Sequence, residues 1–309
     1  MIIIQIAGGL GNQMQQYALY RKLLSLGKEV KLDISWFSEE VQKKMLAPRE
    51  FELPLFKNLP FEVCTDEERD RFLKQNLFSA IKGKITKKLG ITASSNPNVF
   101  VETKMYHPEI FEFEDKYITG YFLCQKYYED IMDELRELFV FPPHRDSDLA
   151  MRNRIISEKM ERFPSVSVHL RRGDYLDPAN VNILGNIASD DYYKNAMDYF
   201  LKKDPETHFY IFTSDHDYAR EHYGDISRYT IVEWNNGKDS IQDLMLMSHC
   251  KGNICANSTF SFWGARLNKR PDHEVIRTYK MRNNQPIDPE TMHDYWKGWI
   301  LMDNKGNIV

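Results

Sequence analysis

The chain has 309 residues, of which 28% are charged, and its formal net charge at pH 7 is −4. This length exceeds what one compact core usually supports, so we expect two domains. The small negative charge excludes a chain-wide attraction to nucleic acid. The four cysteines form neither a CxxC pair nor a zinc-binding pattern, and we expect reduced thiols in a cytoplasmic protein. No apolar run reaches transmembrane length, and a strand predicted from residue 2 leaves no room for a signal peptide.

The first predicted elements form a strand–helix–strand unit. Residues 2–6 contain three consecutive isoleucines and predict a strand, residues 14–26 have the apolar spacing of a helix, and residues 29–34 predict a second strand. The connecting segment, residues 7–13, is rich in glycine, which lets the backbone approach a ligand at the start of a helix. Its spacing is not the G-x-G-x-x-G dinucleotide fingerprint. The amides at residues 12 and 13 suit a polar ligand and a helix cap equally.

The next segment is less regular. It spans residues 37–97 and includes a basic stretch at 82–88, which fits a solvated helix face or contact with an anionic membrane surface. Residues 117–122 then predict a strand and residues 127–139 a helix, which the Pro-Pro pair at 142–143 ends. This stop predicts a domain boundary, with one domain at 1–142 and the other at 143–309.

From residue 165 onward, predicted strands and helices alternate. The strands are predicted at 165–169, 208–213, 229–233 and 252–256, and the helices at 190–202, 239–249 and 259–268. This alternation is typical of a Rossmann-like domain with a parallel sheet, and it places the chain in the α/β class.

The sequence His-Leu-Arg-Arg-Gly-Asp-Tyr, residues 169–175, follows the first of these strands. Two adjacent arginines at a strand end suit an anion, because a guanidinium fork matches the geometry of phosphate. Gly173 lets the backbone turn sharply, and Asp174 can hold one guanidinium in place. The alternative is a solvated turn with a local ion pair.

A second polar motif, Asn-Ser-Thr-Phe-Ser at 257–261, follows the strand at 252–256. Hydroxyls and an amide at a helix start provide either a helix cap or a phosphate cradle, and taken alone this motif favours the cap. The Asp-His-Asp sequence at 215–217 follows a predicted strand, and its two carboxylates and histidine could bind a divalent metal ion. We expect no metal there, because the arginine pair already supplies positive charge.

Together these motifs resemble a known family. GGLGNQMQQYA, HLRRGDY and NSTFSFWGARLN are similar to blocks of the bacterial α-1,2-fucosyltransferases of glycosyltransferase family 11, and residues 209–215 resemble a fourth block. The resemblance implies a GT-B-like fold, in which two Rossmann-like domains face a cleft. It implies an acceptor-side domain at 1–142 and a GDP-fucose-binding domain at 143–309. It also implies metal-independent, inverting transfer of fucose to the 2-hydroxyl of a terminal β-galactoside.

The resemblance implies roles for individual residues as well. Arg171 matches the phosphate-binding arginine of the family, and Arg172 and Asp174 would hold its loop. Asp243 falls where related enzymes bind guanine with a carboxylate. The other implied donor-binding residues are Gly9, Gly11, Asn12, Ser258, Thr259 and Ser261.

The general base is left open among His169, Asp174 and Asp177, of which His169 has the most suitable intrinsic pKa. Positions 262 and 266 depart from the usual family form, FSWWGAWLN, which has tryptophan at both. Phe262 keeps an aromatic ring, whereas Arg266 is expected near the cleft or on a solvated helix face, where it would affect the choice of acceptor.

Two other functions stay open from the sequence. One is a transferase that uses another nucleotide sugar, and the other is a non-catalytic sugar-nucleotide-binding protein. The acceptor implied by the family is a galactose-terminated oligosaccharide or lipid-linked glycan. We therefore expect a cytoplasmic enzyme, with peripheral contact at the inner face of the membrane as an alternative.

Overall fold

A computed structural model gives the structure of the chain. It describes residues 1–45, 47–74, 96–175, 177–178, 180–224, 226–284 and 287–309, apart from the side chain of Asp174. The chain divides into two units, Met1–Val140 and Phe141–Val309. In the ranges just given, no helix is both long and apolar enough to span a bilayer.

The N-terminal unit contains a parallel sheet with helices. Its strands are β1 (Ile2–Gln5), β2 (Val30–Asp33), β3 (Val99–Val101) and β4 (Lys116–Thr119). Its α-helices are α1 (Leu10–Ser25), α2 (Glu39–Gln42), α3 (Asp66–Leu73) and α4 (Met132–Leu138). The strand order is β2-β1-β4-β3, and every pairing is parallel. The isoleucines of β1 are fully buried, which explains why this apolar, β-branched segment forms the centre of the sheet.

The C-terminal unit is also built from alternating strands and helices. Its strands are β5 (Ser165–Leu170), β6 (His208–Thr213), β7 (Tyr229–Val232), β8 (Gly252–Cys255), β9 (Glu274–Thr278) and β10 (Ile300–Met302). Its α-helices are α5 (Ser147–Arg162), α6 (Val181–Leu184), α7 (Asp190–Lys203), α8 (His216–Tyr223), α9 (Ile241–His249), α10 (Thr259–Arg266) and α11 (Pro289–Tyr295). The strand order is β10-β9-β8-β5-β6-β7, again with parallel pairing throughout. This is the order of the doubly wound dinucleotide-binding fold.

Helices cover both faces of this sheet. Successive strand residues point to opposite faces, so each strand contributes side chains to two cores. On one face, Phe209 and Ile211 of β6 belong to a buried cluster that also includes Tyr192 and Phe200 of α7. On the other face, Phe212 belongs to a cluster that includes residues of α5 and α9. Burying each such side chain contributes roughly 1.5–3 kcal/mol, so the two clusters fix the sheet between its helices.

The elements predicted for the C-terminal half are present, with bounds that differ by at most two residues. The first helix of the chain begins at Leu10 rather than at residue 14, so the second half of the predicted glycine-rich turn is helical. The helix predicted at 127–139 is shorter, because two 3-10 turns precede α4. The α/β fold class, with one parallel sheet in each unit, is confirmed.

Candidate functional site

The strand order of the C-terminal sheet reverses between β5 and β8. β6 and β7 lie on one side of β5, whereas β8, β9 and β10 lie on the other side. The connections leave these two strands in opposite directions, which opens a crevice at their carboxyl ends where ligands bind in folds of this type. Arg171 and Arg172 follow β5 at this point, and residues 256–259 follow β8. The fold therefore places two of the sequence motifs side by side.

Hydrogen bonds join these two loops directly. The hydroxyl of Tyr175 donates to the carbonyl oxygen of Asn257 at 3.1 Å. The Asn257 amide in turn donates to the carbonyl oxygens of Leu184 and Met281, at 3.1 and 3.2 Å. Asn257, the first residue of the second motif, thus connects three loops at the edge of the sheet.

Arg172 is held by an acid and a ring. Its Nε donates to Oδ2 of Asp215 at 3.2 Å, and its guanidinium carbon lies 3.6 Å from the centre of the Tyr218 ring. The side chains of Arg172 and Asp215 are each about a third exposed, so the ion pair contributes at most about 1 kcal/mol to stability. Its main effect is to orient the guanidinium.

Arg171 is fixed through its backbone. The buried hydroxyl of Tyr193 donates to the carbonyl oxygen of His169 at 2.9 Å and accepts the amide of Arg171 at 3.4 Å. The Arg171 guanidinium carbon lies 5.0 Å from the centre of the Tyr175 ring. Gly173 has a φ of +28°, and a Cβ there would lie 3.2 Å from Oγ of Ser214, which explains glycine at this turn.

His169 is buried beneath the arginine loop, at 7% exposure, and its ring centre lies 5.8 Å from that of Phe260. Burial, and then the charge of Arg171, lower the pKa of His169 to about 3. The imidazole is therefore neutral near pH 7 and accepts a proton poorly. Its Nδ1 is buried and has no hydrogen-bond partner among the described residues.

The hydroxyl of Ser258, in the loop after β8, does not cap the following helix. Ser258 occupies the cap position of α10, but its side chain makes no capping hydrogen bond. The cap interpretation of this motif is therefore wrong for Ser258. Ser261 is buried and donates its hydroxyl to the carbonyl oxygen of Ser258 at 3.1 Å, and Thr259 is half-buried at the first position of the helix.

Asp243 lies in the first turn of α9, where the helix dipole favours a carboxylate. Its Oδ1 accepts a hydrogen bond from Nδ2 of Asn235 at 2.9 Å. Although the residue retains some exposed surface, protein atoms surround its carboxyl group closely. This burial raises the pKa of Asp243 to about 7, and the hydrogen bond from Asn235 partly offsets the shift.

The glycine-rich segment of the N-terminal unit is partly turn and partly helix. Gly8 has a φ of +82°, and a Cβ there would lie 2.6 Å from Nδ2 of Asn12. Gly9 occupies the N-cap position of α1, so no side chain caps this helix. Gly11 and Asn12 lie in its first turn. The side chains of Asn12 and Gln13 are therefore not caps of this helix.

Gln13 and Gln16 explain the rest of this motif. Gln13 donates to the carbonyl oxygens of Gly8 and Glu50 and accepts the amide of Glu52. Gln16 accepts the amide of Ala7 and donates to the backbone of a loop more than a hundred residues away. Both side chains are buried, so these amides support the segment structurally.

The alternative that Arg266 lies on a solvated helix face is wrong. Arg266 is only 3% exposed, and its guanidinium carbon lies 5.4 to 6.0 Å from the centres of the Phe262, Trp263 and Trp299 rings. Arg277 of β9 is also buried, 4.4 Å from the Phe262 ring centre and 4.1 Å from that of Trp296. Aromatic rings accommodate these guanidinium groups by cation–π contact.

The Asp-His-Asp sequence at 215–217 lies at the start of α8. Asp215 binds Arg172 and caps the helix through its contact with the amide of Tyr218, and Asp217 pairs with Arg220 at 2.6 Å. In the part of the chain that the structure describes, no group of three or more His, Cys, Asp or Glu residues is arranged to hold a metal ion. Independence from metal stays a prediction.

The other residues that the sequence singled out are only partly described. Asp177 is exposed. The side chain of Asp174 and the basic stretch at 82–88 lie outside the described residues. The predicted site roles, including those of Arg171, His169 and Asp243, stay predictions.

Sequence reasoning missed the residues that support the site. Tyr193 holds the arginine loop, and Asn235 holds Asp243. Tyr193 lies in the predicted helix at 190–202. An aromatic ring there is expected to pack in the core, so the sequence did not indicate that its hydroxyl holds a loop. Asn235 lies between two predicted elements, and its partners are distant in the sequence, so no local pattern could identify it.

Comparison with known proteins identifies the family. The model of glycosyl transferase family 11 matches residues 1–303. The chain belongs to this family. It is therefore a glycosyltransferase, and the resemblance found from the motifs is confirmed.

Relatives of this family 11 glycosyltransferase include three described enzymes. The O-antigen biosynthesis glycosyltransferase WbnK of Escherichia coli is 30% identical over 89% of this chain and 93% of its own length. An α-1,2-colitosyltransferase of Escherichia coli is 26% identical over 86% of this chain and 87% of its own length. The galactoside α-(1,2)-fucosyltransferase 1 of Saimiri boliviensis boliviensis is 24% identical over 53% of this chain and 48% of its own length.

Proposed function

We propose that this enzyme transfers L-fucose from GDP-β-L-fucose to the 2-hydroxyl of a terminal β-galactoside, with inversion at the anomeric carbon. The observation that carries the proposal is the arginine pair at the carboxyl end of β5, next to the hydroxyl-rich loop after β8. Support for the α-1,2 linkage comes from relatives named as α-1,2-colitosyl- and α-(1,2)-fucosyltransferases.

The reaction needs a stabilised leaving group. As the bond to fucose breaks, negative charge develops on the β-phosphate of GDP. A guanidinium held where water is excluded stabilises this charge more in the transition state than in the ground state. In this proposal Arg171 binds the diphosphate, Ser258 and Thr259 donate to the same oxygens, and Asp243 accepts the N1 and N2 hydrogens of guanine.

The C-terminal unit binds the donor in this proposal, and the N-terminal unit contributes to acceptor binding. His169 is not the general base in this proposal, because a pKa of about 3 makes it a weak proton acceptor. It contributes a neutral hydrogen-bonding group to the site. The transition state of fucosyl transfer resembles an oxocarbenium ion, so a weak base such as a carboxylate suffices. No metal is required, since the guanidinium of Arg171 supplies the positive charge.

Transfer of colitose is the second candidate function. The relative named as an α-1,2-colitosyltransferase aligns with 86% of this chain, more than the galactoside fucosyltransferase does. Colitose is fucose without its 3-hydroxyl. The two donors share GDP and differ in one group, so the same arginine site serves either.

A donor panel tests the proposal. Initial rates of transfer to lactose are measured with GDP-fucose, GDP-colitose, GDP-mannose and UDP-galactose, each with and without excess EDTA. We expect GDP-fucose to give the highest kcat/KM. The preference over GDP-colitose should be at least about tenfold, because a site that hydrogen-bonds a sugar hydroxyl rejects the analogue that lacks it.

The outcomes separate the candidates. Comparable or faster transfer from GDP-colitose identifies a colitosyltransferase and contradicts the fucose assignment. Preference for UDP-galactose contradicts the guanine assignment of Asp243. Loss of activity in EDTA that manganese restores contradicts metal independence.

A further inference from the structure

Asp243 lies at the end of a buried chain of hydrogen bonds. Nε1 of Trp234 donates to Oδ1 of Asn153 at 2.6 Å. Nδ2 of Asn153 donates to Oδ1 of Asn235 at 2.9 Å, and Nδ2 of Asn235 donates to Oδ1 of Asp243, also at 2.9 Å. Asn153 and Asn235 are 1% and 6% exposed, so water has little access to these groups.

The indole N–H of Trp234 determines the donor and the acceptor in each of these hydrogen bonds. An indole N–H can only donate, so Asn153 must present its oxygen to Trp234. Its NH₂ group must then face Asn235, which accepts with its own oxygen. The NH₂ group of Asn235 is thereby directed at Asp243. Chemistry alone thus fixes the orientation of both amides, which otherwise could flip.

This series of hydrogen bonds prepares the Asp243 carboxylate to bind guanine. A donor directed at Oδ1 favours the ionised form of Asp243 and fixes the rotation of its carboxyl group. The second oxygen, Oδ2, accepts no hydrogen bond from the described residues. Guanine presents two donors in a row, N1–H and N2–H, which an oriented carboxylate accepts together.

We propose that Asn235, fixed by Asn153 and Trp234, is a positioning residue that presents the Asp243 carboxylate to the guanine base and sets the preference for guanine over hypoxanthine. This inference rests on the proposed function, in which the donor is a GDP-sugar and Asp243 binds its base. Asn235 acts through Asp243 and does not itself contact the base.

Replacing Asn235 removes the directed donor. In Asn235→Leu the carboxyl group loses its hydrogen bond, rotates more freely and holds its proton more strongly. A protonated Asp243 presents an O–H to the N–H groups of guanine, and two donors cannot pair. The raised pKa of Asp243, which the bond from Asn235 moderates, agrees with this effect.

Isothermal titration with two nucleotides tests the inference. Inosine diphosphate (IDP) differs from GDP only by the absence of the N2 amino group. The readout is the ratio of the dissociation constants of IDP and GDP. In the unchanged protein this ratio should be about ten or more, because a hydrogen bond to a charged group is lost with IDP.

Asn235→Leu should lower this ratio to near one, whereas a purely structural effect would weaken GDP and IDP equally and leave the ratio unchanged. Trp234→Phe keeps an aromatic side chain at this position but removes the N–H that orients Asn153, and we expect an intermediate ratio. This second variant retains an aromatic ring in the buried cluster around position 234 and provides the test should the first fail to fold. Asn236→Leu is the matched control, because Asn236 is exposed and binds only a backbone carbonyl, and its ratio should stay unchanged.

Asp243→Asn separates this inference from the proposed function. If Asp243→Asn keeps the full ratio, Asp243 does not bind guanine and that part of the proposed function fails. If Asp243→Asn lowers the ratio but folded Asn235→Leu and Trp234→Phe both keep it, Asp243 binds guanine without help from Asn235. That result overturns the inference alone.

Discussion

The two adjacent arginines differ in what surrounds them. Arg172 is engaged by Asp215 and stacks on Tyr218, so its guanidinium is already committed within the protein. Arg171 comes directly after β5, and Tyr193 fixes the backbone that leads into it, at the carbonyl oxygen of His169 and at the amide of Arg171. Its position at the switch point of the sheet suits direct contact with a phosphate. We therefore propose different roles for two residues that the sequence presents as a pair.

This difference gives a prediction for matched lysine variants. Arg171→Lys should lower kcat/KM for GDP-fucose by about 100-fold or more, because a point charge cannot reproduce the planar fork at the phosphate. Arg172→Lys should lose about tenfold or less, since lysine retains the ion pair to Asp215 but not the stacking. Steady-state kinetics of both variants give the comparison. Near-native kcat/KM in both would show that neither guanidinium binds the leaving group.

Some residue positions could be predicted from the sequence, and others could not. The arginine pair was evident because two guanidinium groups at a strand end require an anion or an acid. Arg266 was misplaced because its burial depends on the rings of Phe262, Trp263 and Trp299, and only the first two are near it in the sequence. From the sequence alone, a charged residue in a short helix is expected to be exposed to solvent. Its burial can be predicted only when the side chains that stabilise the buried charge are known.

At the scale of elements, the main difference concerns the start of α1. Glycine and asparagine are poor helix formers, so the sequence predicted a turn through residue 13. In the structure the helix begins at Leu10. Tertiary hydrogen bonds from the buried Gln13 and Gln16 stabilise this first turn, and such contacts override local propensity.

Gln13→Leu tests this account of the glycine-rich segment. The change leaves the amide of Glu52 and the carbonyl oxygens of Gly8 and Glu50 without the partners they have now. We expect the free energy of unfolding of the N-terminal unit to fall by about 2 kcal/mol or more. Urea titration measures this change.

Gln5→Leu is the control for that experiment. Gln5 lies in β1, next to the same segment, and its side chain makes no hydrogen bond to the described residues. The control should change the free energy of unfolding by about 0.5 kcal/mol or less. Equal stability of Gln13→Leu and Gln5→Leu would refute the structural role of Gln13.

Alternating strands and helices made the C-terminal sheet predictable up to β8. β6 shows why: it is continuously apolar and aromatic from Phe209 to Phe212, as expected of a strand buried on both faces. β9 and β10 were not predicted. β9 contains the buried Arg277, and β10 is only three residues long, so neither has a clear local pattern.

At the scale of the whole molecule, both units use the same design. In each, the first strand lies inside the sheet, and the strand order reverses beside it. The glycine-rich segment follows β1, and the arginine pair follows β5, so each motif lies at the switch point of its own sheet. The sequence predicted both motifs, but their equivalent positions became evident only from the strand order.

The position and configuration of the new glycosidic bond decide whether this enzyme is an α-1,2-fucosyltransferase. The enzyme is incubated with GDP-β-L-fucose and lactose, and the product is analysed by methylation and by the anomeric coupling in its NMR spectrum. We expect one fucose, α-linked to the 2-hydroxyl of galactose. Fucose on another hydroxyl, a β-linked product, or hydrolysis of GDP-fucose without transfer would contradict it.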